Sequence, residues 1–275
     1  MSVNQHVLVI FNPAKDEQVA LDKAIRLSAS LGTKITALVR RKHATPQLLL
    51  ALEHKLNRAT ALGISVAVEI SEEASLLRAI LLAEYKLKFD LLVKEPHEKS
   101  LIDHIFLPDD WKLLRSSPCP VLLVRADNDW NNSPILLCIN ANEVDHDHQA
   151  LNKQIVAAGR MIANAGDAQI NVASYYPSAM QAANTHDQAP ELLKKQYRSN
   201  CHALFAHDDI TDEKIHIEPG PAELMIPELV DKLNAKVVVL GTVARSGLSG
   251  ILLGNTAEQI LSRLPTDVLV LPPKE

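Results

Sequence analysis

The nine glycines of this 275-residue chain are unevenly spread, and five of them fall between positions 220 and 254. Gly241, Gly247, Gly250 and Gly254 share one run, Leu240-Gly-Thr-Val-Ala-Arg-Ser-Gly-Leu-Ser-Gly-Ile-Leu-Leu-Gly-Asn-Thr256, which follows an apolar strand pattern and leads into a helical one. Glycine permits positive φ and lets backbone N–H groups come close to an anion. A helix start after such a run adds unpaired N–H donors and the positive end of the helix dipole. Asn255 can cap that helix, with Thr256 next to it and Glu258 placed to complete a capping box. Arg245 is the only cation between Lys236 and Arg263, so it is the side chain available to neutralise phosphate. The plain alternative is a flexible loop, but this much glycine at the end of a strand favours a phosphate cradle.

Spacing narrows the chemistry further. GxxxxGK[ST] is absent and no lysine occurs from 237 to 273, which excludes a P-loop NTPase. Gly247-Leu-Ser249-Gly250 misses the GxSxG nucleophile elbow by one residue. No GxGxxG follows a strand, which argues against a dinucleotide site. Asp145-His146-Asp147-His148, His186-Asp187, Cys201-His202 and His207-Asp208-Asp209 have no recognised metal-ligand spacing. They read as solvated loop residues, and 178–213 reads as a polar insertion. No Ser/His/Asp or Cys/His constellation supports covalent catalysis.

A cradle of this kind needs a strand and a helix to position it, and the chain supplies both twice. In the first half, 6–11, 34–39, 65–70, 90–93 and 120–124 read as strands, with helices over 17–31, from Thr45-Pro46 to Gly63, and over 74–87. In the second half, 134–139, 170–175, 214–217, 236–240 and 267–271 read as strands, with helices over 147–165, 221–233 and from Asn255 to Leu264. His6-Val-Leu-Val-Ile-Phe-Asn12 resembles Pro134-Ile-Leu-Leu-Cys-Ile-Asn140, and Leu114…Pro118…Val121-Leu122 recurs as Leu261…Pro265…Val268-Leu269. Self-similarity on this scale predicts a tandem pair of domains, 1–127 and 132–275, joined by the polar stretch Ala126–Ser133. Apolar strands without alternation, interleaved with helices, predict α/β domains with parallel sheets that bind ligands beyond the strands' carboxyl ends.

Composition agrees with this picture. The chain is 47% hydrophobic and 22% charged with a net charge of −5, which fits a globular protein and not a nucleic-acid or anionic-membrane binder. Three scattered cysteines without CxxC spacing read as reduced thiols in a cytoplasmic protein. Neither a signal peptide nor a span of about 20 apolar residues is expected, so membrane insertion is not.

On these residues the chain resembles the universal stress protein family as a tandem pair. That family's ATP motif is a strand followed by G-x2-G-x9-G-[S/T]. Here Gly241, Ala244, Gly254 and Asn255 occupy the motif positions, and Gly220-Pro-Ala-Glu223 fits the opening of the third helix. The resemblance implies two doubly wound, Rossmann-like domains, each a five-stranded parallel sheet of order 3-2-1-4-5, pairing in cis through their last strands as a pseudo-dimer, with a homodimer as the further assembly. It also implies ATP or a related adenine nucleotide, with Mg²⁺ as its companion, bound by the second domain. The expected binding set is Asn140, Gly220, Gly241, Ala244, Arg245, Gly247, Gly250, Gly254, Asn255 and Thr256, with the backbones of Gly241, Gly247, Gly250 and Gly254 donating and Arg245 neutralising phosphate. Asn140 stands where family members carry an acidic residue, which weakens Mg²⁺ ligation because hard cations prefer charged oxygens. Any hydrolysis is therefore expected to be slow.

The first half's equivalent segment, Lys94 to Trp111, is charged and has no glycine. It is expected to serve pairing, or to leave its cleft to a different ligand of apolar character. A nucleotide-binding stress-response protein is thus weighed against a non-nucleotide scaffold and a weak ATPase.

Overall fold

The computed structural model describes residues 6–13, 15–96, 108–125, 128–142, 146–177, 190–206, 210–242 and 255–272. The chain divides into two compact units, 1–127 and 128–275.

The first unit runs β1 (His6–Ile10), α1 (Val19–Leu31), β2 (Lys34–Arg40), α2 (Pro46–Ala61), β3 (Val66–Ser71), α3 (Leu76–Leu87), β4 (Leu91–Lys94), α4 (Pro108–Ser116) and β5 (Val121–Leu123). Its strands lie in the order β3-β2-β1-β4-β5, every described pair parallel. β1 and β4, the central strands of this order, are buried throughout, as strands covered on both faces must be, and β5 is buried as well. Local signals set the helix ends. Gly32 ends α1 at φ 68°, and Thr45 Oγ1 accepts the Leu48 N–H at 3.2 Å to open α2 behind a first-turn proline. His6 sits buried inside this sheet, Nε2 2.8 Å from Thr36 Oγ1 and Nδ1 3.3 Å from the Leu87 carbonyl.

The second unit repeats the plan: β6 (Pro134–Cys138), α5 (His146–Gly166), β7 (Gln169–Tyr176), α6 (Pro190–Leu204), β8 (Ile215–Pro219), α7 (Ala222–Leu233), β9 (Val237–Gly241), α8 (Asn255–Arg263) and β10 (Asp267–Leu271). Its order is β8-β7-β6-β9-β10, again parallel. Each unit therefore has the 3-2-1-4-5 arrangement. Right-handed crossovers then put the first two helices of a unit on one face and the last two on the other. The contacts of α3 with α4, of α5 with α6 and of α7 with α8 agree.

Two expectations need correction. The insertion over 178–213 contains a 15-residue helix, α6, whose Leu193, Tyr197 and Cys201 form a buried i, i+4, i+8 stripe. The polar linker is also more than a linker from residue 128 onward. Trp130 is fully buried, its indole N–H donating to Asp267 Oδ2 at 3.0 Å, and Asn128 Nδ2 donates to the Lys236 carbonyl at 3.3 Å. Gly166 makes room for this anchor, since a Cβ there would lie 2.9 Å from the Trp130 carbonyl oxygen.

Two outcomes follow. Trp130→Phe keeps the ring but removes the indole donor from a buried carboxylate, and should lower stability by about 1–3 kcal/mol in urea denaturation. Burial holds the His6 imidazole below its ordinary pKa of 6.5, so the unfolded chain takes up its proton first as pH falls. Its stabilising contribution is complete above pH 6.5 and declines below it. His6→Gln should flatten the fall in the urea midpoint between about pH 7 and 5.

Candidate functional site

Doubly wound sheets leave a crevice where the strand order reverses, at the carboxyl ends of the first and fourth strands. In the second unit these are β6 and β9, paired through Leu137–Val239 and Cys138–Leu240. Asn140 follows β6 and is exposed at that edge, while Gly241 closes β9 beside it. Asn255 and Thr256 are the first residues of α8 and are exposed as well. Asn255 is the first residue assigned to α8, three positions ahead of Glu258, which lies in the first turn. Ala244, Arg245, Gly247, Gly250 and Gly254 lie outside the described residues.

Gly220 does not join this group. It follows β8, which β7 and β6 separate from β9, three strand spacings or roughly 14 Å away. Its φ of 135° and the N–H bond it donates to the Tyr176 carbonyl at 2.9 Å make it the turn into α7. Gly241 has a packing role of its own: a Cβ there would fall 2.5 Å from Leu151 Cδ2, so a larger residue would have to displace that α5 side chain. Thr242 is turned inward, with its N–H and hydroxyl both donating to the Leu271 carbonyl.

An amide clamp that composition does not reveal holds the edge of β6. Asn152, in α5, donates from Nδ2 to the Asn140 carbonyl at 2.8 Å and accepts the Asn140 N–H at 3.2 Å. In the next residue, the Ala141 N–H donates to the buried Ser174 Oγ at 3.0 Å. The first unit builds the same clamp from another position. Gln18, just ahead of α1, accepts the Asn12 N–H at 3.0 Å and donates to the Asn12 carbonyl at 2.7 Å. The asparagine that ends the first strand of each half is thus fixed through its backbone.

The registers allow a residue-by-residue comparison of the two crevices. Val9 pairs with Val93 as Leu137 pairs with Val239, so Glu95 occupies the position of Gly241 and Lys94 that of Leu240. α4 and α8 are both nine residues long, which matches Asp110 to Ala257. Where the second unit offers bare backbone and neutral amides, the first offers Glu95, Asp109 and Asp110. Lys94 and Asp110 are both buried and hydrogen-bonded to each other as an ion pair. Desolvation pulls the Lys94 pKa down, and the attraction of Asp110 opposes it.

The cysteines take no part. Burial pushes the Cys119, Cys138 and Cys201 thiols up to about 12, which suppresses the reactive thiolate. No group of three or more His, Cys, Asp or Glu side chains is placed to hold a metal among the described residues. Of the histidine motifs, His202 meets Asp212 at 2.6 Å, while His186 and His207 lie outside the described residues.

The sequence profile of the universal stress protein family matches residues 136–272. A curated relative, the universal stress protein E homolog of Haemophilus influenzae, is 30% identical and aligns over 98% of this chain and 98% of its own. Universal stress protein E of Escherichia coli is 28% identical over 100% of this chain and 96% of its own. Solved structures from Pseudomonas aeruginosa strains PAO1 and UCBPP-PA14 match at a TM-score of 0.85 and 34% identity, covering 98% of this chain and 93% and 94% of theirs. A universal stress protein structure from Archaeoglobus fulgidus shares the fold at a TM-score of 0.57 and 12% identity, over 97% of this chain and 98% of its own.

The buried pair of the first unit gives a stability test. Asp110→Asn strands the Lys94 ammonium and should cost about 3–5 kcal/mol in urea denaturation. The double change Lys94→Leu with Asp110→Ala, which installs the second unit's residues, should be near neutral.

Proposed function

Because the chain belongs to the universal stress protein family, we propose that its second unit binds ATP or a related adenine nucleotide, and does so as a stress-response protein of the cytoplasm. The supporting observation is the contrast between equivalent positions. The edge of β6 and β9 and the start of α8 present Asn140, Gly241, Asn255 and Thr256, which are uncharged, where the first unit has Asp109, the buried Asp110–Lys94 pair and Glu95 paired with Lys15. Backbone N–H groups and a helix start favour phosphate, and the acidic residue of this helix start, Glu258, comes only at its fourth position.

The proposed contacts are the exposed α8 start with Asn255 and Thr256, the edge of β6 fixed at Asn140 by Asn152, and the backbone from Gly241 onward. Ala244, Arg245, Gly247, Gly250 and Gly254 complete the set from sequence, with Arg245 as the charge partner. Gly220 makes the turn into α7, three strands from Gly241. Mg²⁺ does not fit the described donors, since Asn140, Asn255 and Thr256 supply no charged oxygen. The reading is therefore of binding, with turnover secondary. No helix is long and apolar enough to cross a membrane among the described residues.

Adding ATP to the full chain at about 100 times its Kd should stabilise it by about 2.7 kcal/mol, a thermal shift of several degrees. Native mass spectrometry should count one nucleotide per chain. Gly254→Trp should abolish both signals. An absent shift, or two nucleotides per chain, contradicts the assignment.

A further inference from the structure

An open pocket of the second unit lies at the other end of its sheet, at the amino ends of β6 and β7. It has a volume of about 520 Å³, within the range of small-molecule sites. β6, five residues or roughly 16 Å long, separates it from the candidate nucleotide edge. Its apolar lining comes from Ile170, Phe205 and Ile210, and its polar lining from Asn132, Asp167, Gln169 and Lys214. Among the described residues none of these four polar side chains makes a hydrogen bond or an ion pair. Asp167 and Lys214 therefore stand in one pocket as opposite charges that do not pair.

Asp167 sits against two local preferences. It follows α5 in the left-handed region, at φ 48°, and the strand registers match it to Gly32, which ends α1 at φ 68°. Glycine takes that conformation freely, while a side chain there carries a steric cost. The position is also the negative end of the α5 dipole, where a carboxylate is repelled, and the last turn of α5 holds no basic residue to offset it. Asn132, whose N–H donates to the Gly166 carbonyl at 3.0 Å, is left-handed as well, at φ 50°. Asp167 thus destabilises the corner on both counts and gains no partner within the described fold. A local rule broken without an internal gain marks a residue kept for a ligand.

We propose that this pocket binds an apolar amino acid as its zwitterion, either free or as a short peptide. The ligand ammonium meets Asp167 and its carboxylate meets Lys214, two charge-assisted contacts. The apolar side chain lies against Ile170, Phe205 and Ile210, and the amides of Asn132 and Gln169 serve either end. One charge of each sign leaves the pocket without net charge, so recognition needs both ends of the ligand. The site shares no residue with the proposed nucleotide site and does not rest on it.

The test is calorimetric titration of the full chain with L-leucine and with L-leucyl-L-leucine. Isoamylamine and isocaproate, which lack the carboxylate and the ammonium respectively, are titrated in parallel. Wild type should bind a zwitterion saturably, in the millimolar range or below, and the tighter of the two tells free amino acid from peptide. Each one-ended analogue should bind about tenfold more weakly or worse. Asp167→Asn keeps the shape and removes the charge, and should weaken binding by about tenfold or more, as should Lys214→Met. Asp167→Gly should abolish binding and yet raise the urea midpoint measured without ligand, whereas a structural role for Asp167 would lower it. The proposal is overturned if neither zwitterion binds wild type, if Asp167→Asn or Lys214→Met binds as tightly as wild type, if a one-ended analogue binds as tightly as the zwitterions, or if Asp167→Gly lowers the midpoint.

Discussion

A parallel sheet whose strand order reverses between its first and fourth strands cannot cover the carboxyl ends of those two strands with its own crossovers. The proposed nucleotide site of this chain depends on how that uncovered edge is filled. In both units the first strand ends in an asparagine held at its backbone by a side-chain amide, Asn152 for Asn140 and Gln18 for Asn12. The floor of the crevice is thus kept constant. What changes is the residue that leaves the fourth strand. Gly241 leaves bare backbone, and Glu95 leaves a buried carboxylate.

The rest of each unit follows from that exchange. With a carboxylate at the end of β4, the helix start that would attract an anion carries Asp109 and Asp110. Asp110 in turn requires the buried Lys94. The second unit has Leu240 and Ala257 at those places and needs no compensating charge. A duplicated scaffold has thus come to carry different residues at the same edge, ion-paired side chains in one unit and bare glycine backbone in the other, without change to strand order or register. The charged pair of the first unit confers little net stability in such a setting, because desolvating both groups offsets their attraction.

Much of the fold was legible in the sequence, because strands buried on both faces leave unbroken apolar runs and the helix ends carry Thr45, Gly32 and Gly63. Helix α6 was missed because Pro190–Leu204 is rich in charge, and only the spacing of Leu193, Tyr197 and Cys201 betrays its buried side. In α3 the leucines at helical spacing do not mark the buried face. Ala79, Ile80 and Ala83 are buried and Leu81 is 39% exposed, since small residues let the helix sit closer to the sheet. The glycine run announced a candidate site, but not that Gly241 also packs against Leu151, nor that Gly220 lies three strands away. The clamps escaped notice because an amide bonding to backbone has no sequence signature. Glu95 looked like one member of a solvated charge run, and only the packing of β4 shows it buried.

The central claim is that the glycine-bearing crevice holds an anion and the glutamate-bearing one, its charges already paired, does not. A crystal structure of the full chain grown with a non-hydrolysable ATP analogue tests this most directly. The account predicts phosphate density at the start of α8, beside Asn140 and Gly241, with none against Glu95. Phosphate density in the Glu95 crevice, or a second unit empty at saturating analogue, would contradict it.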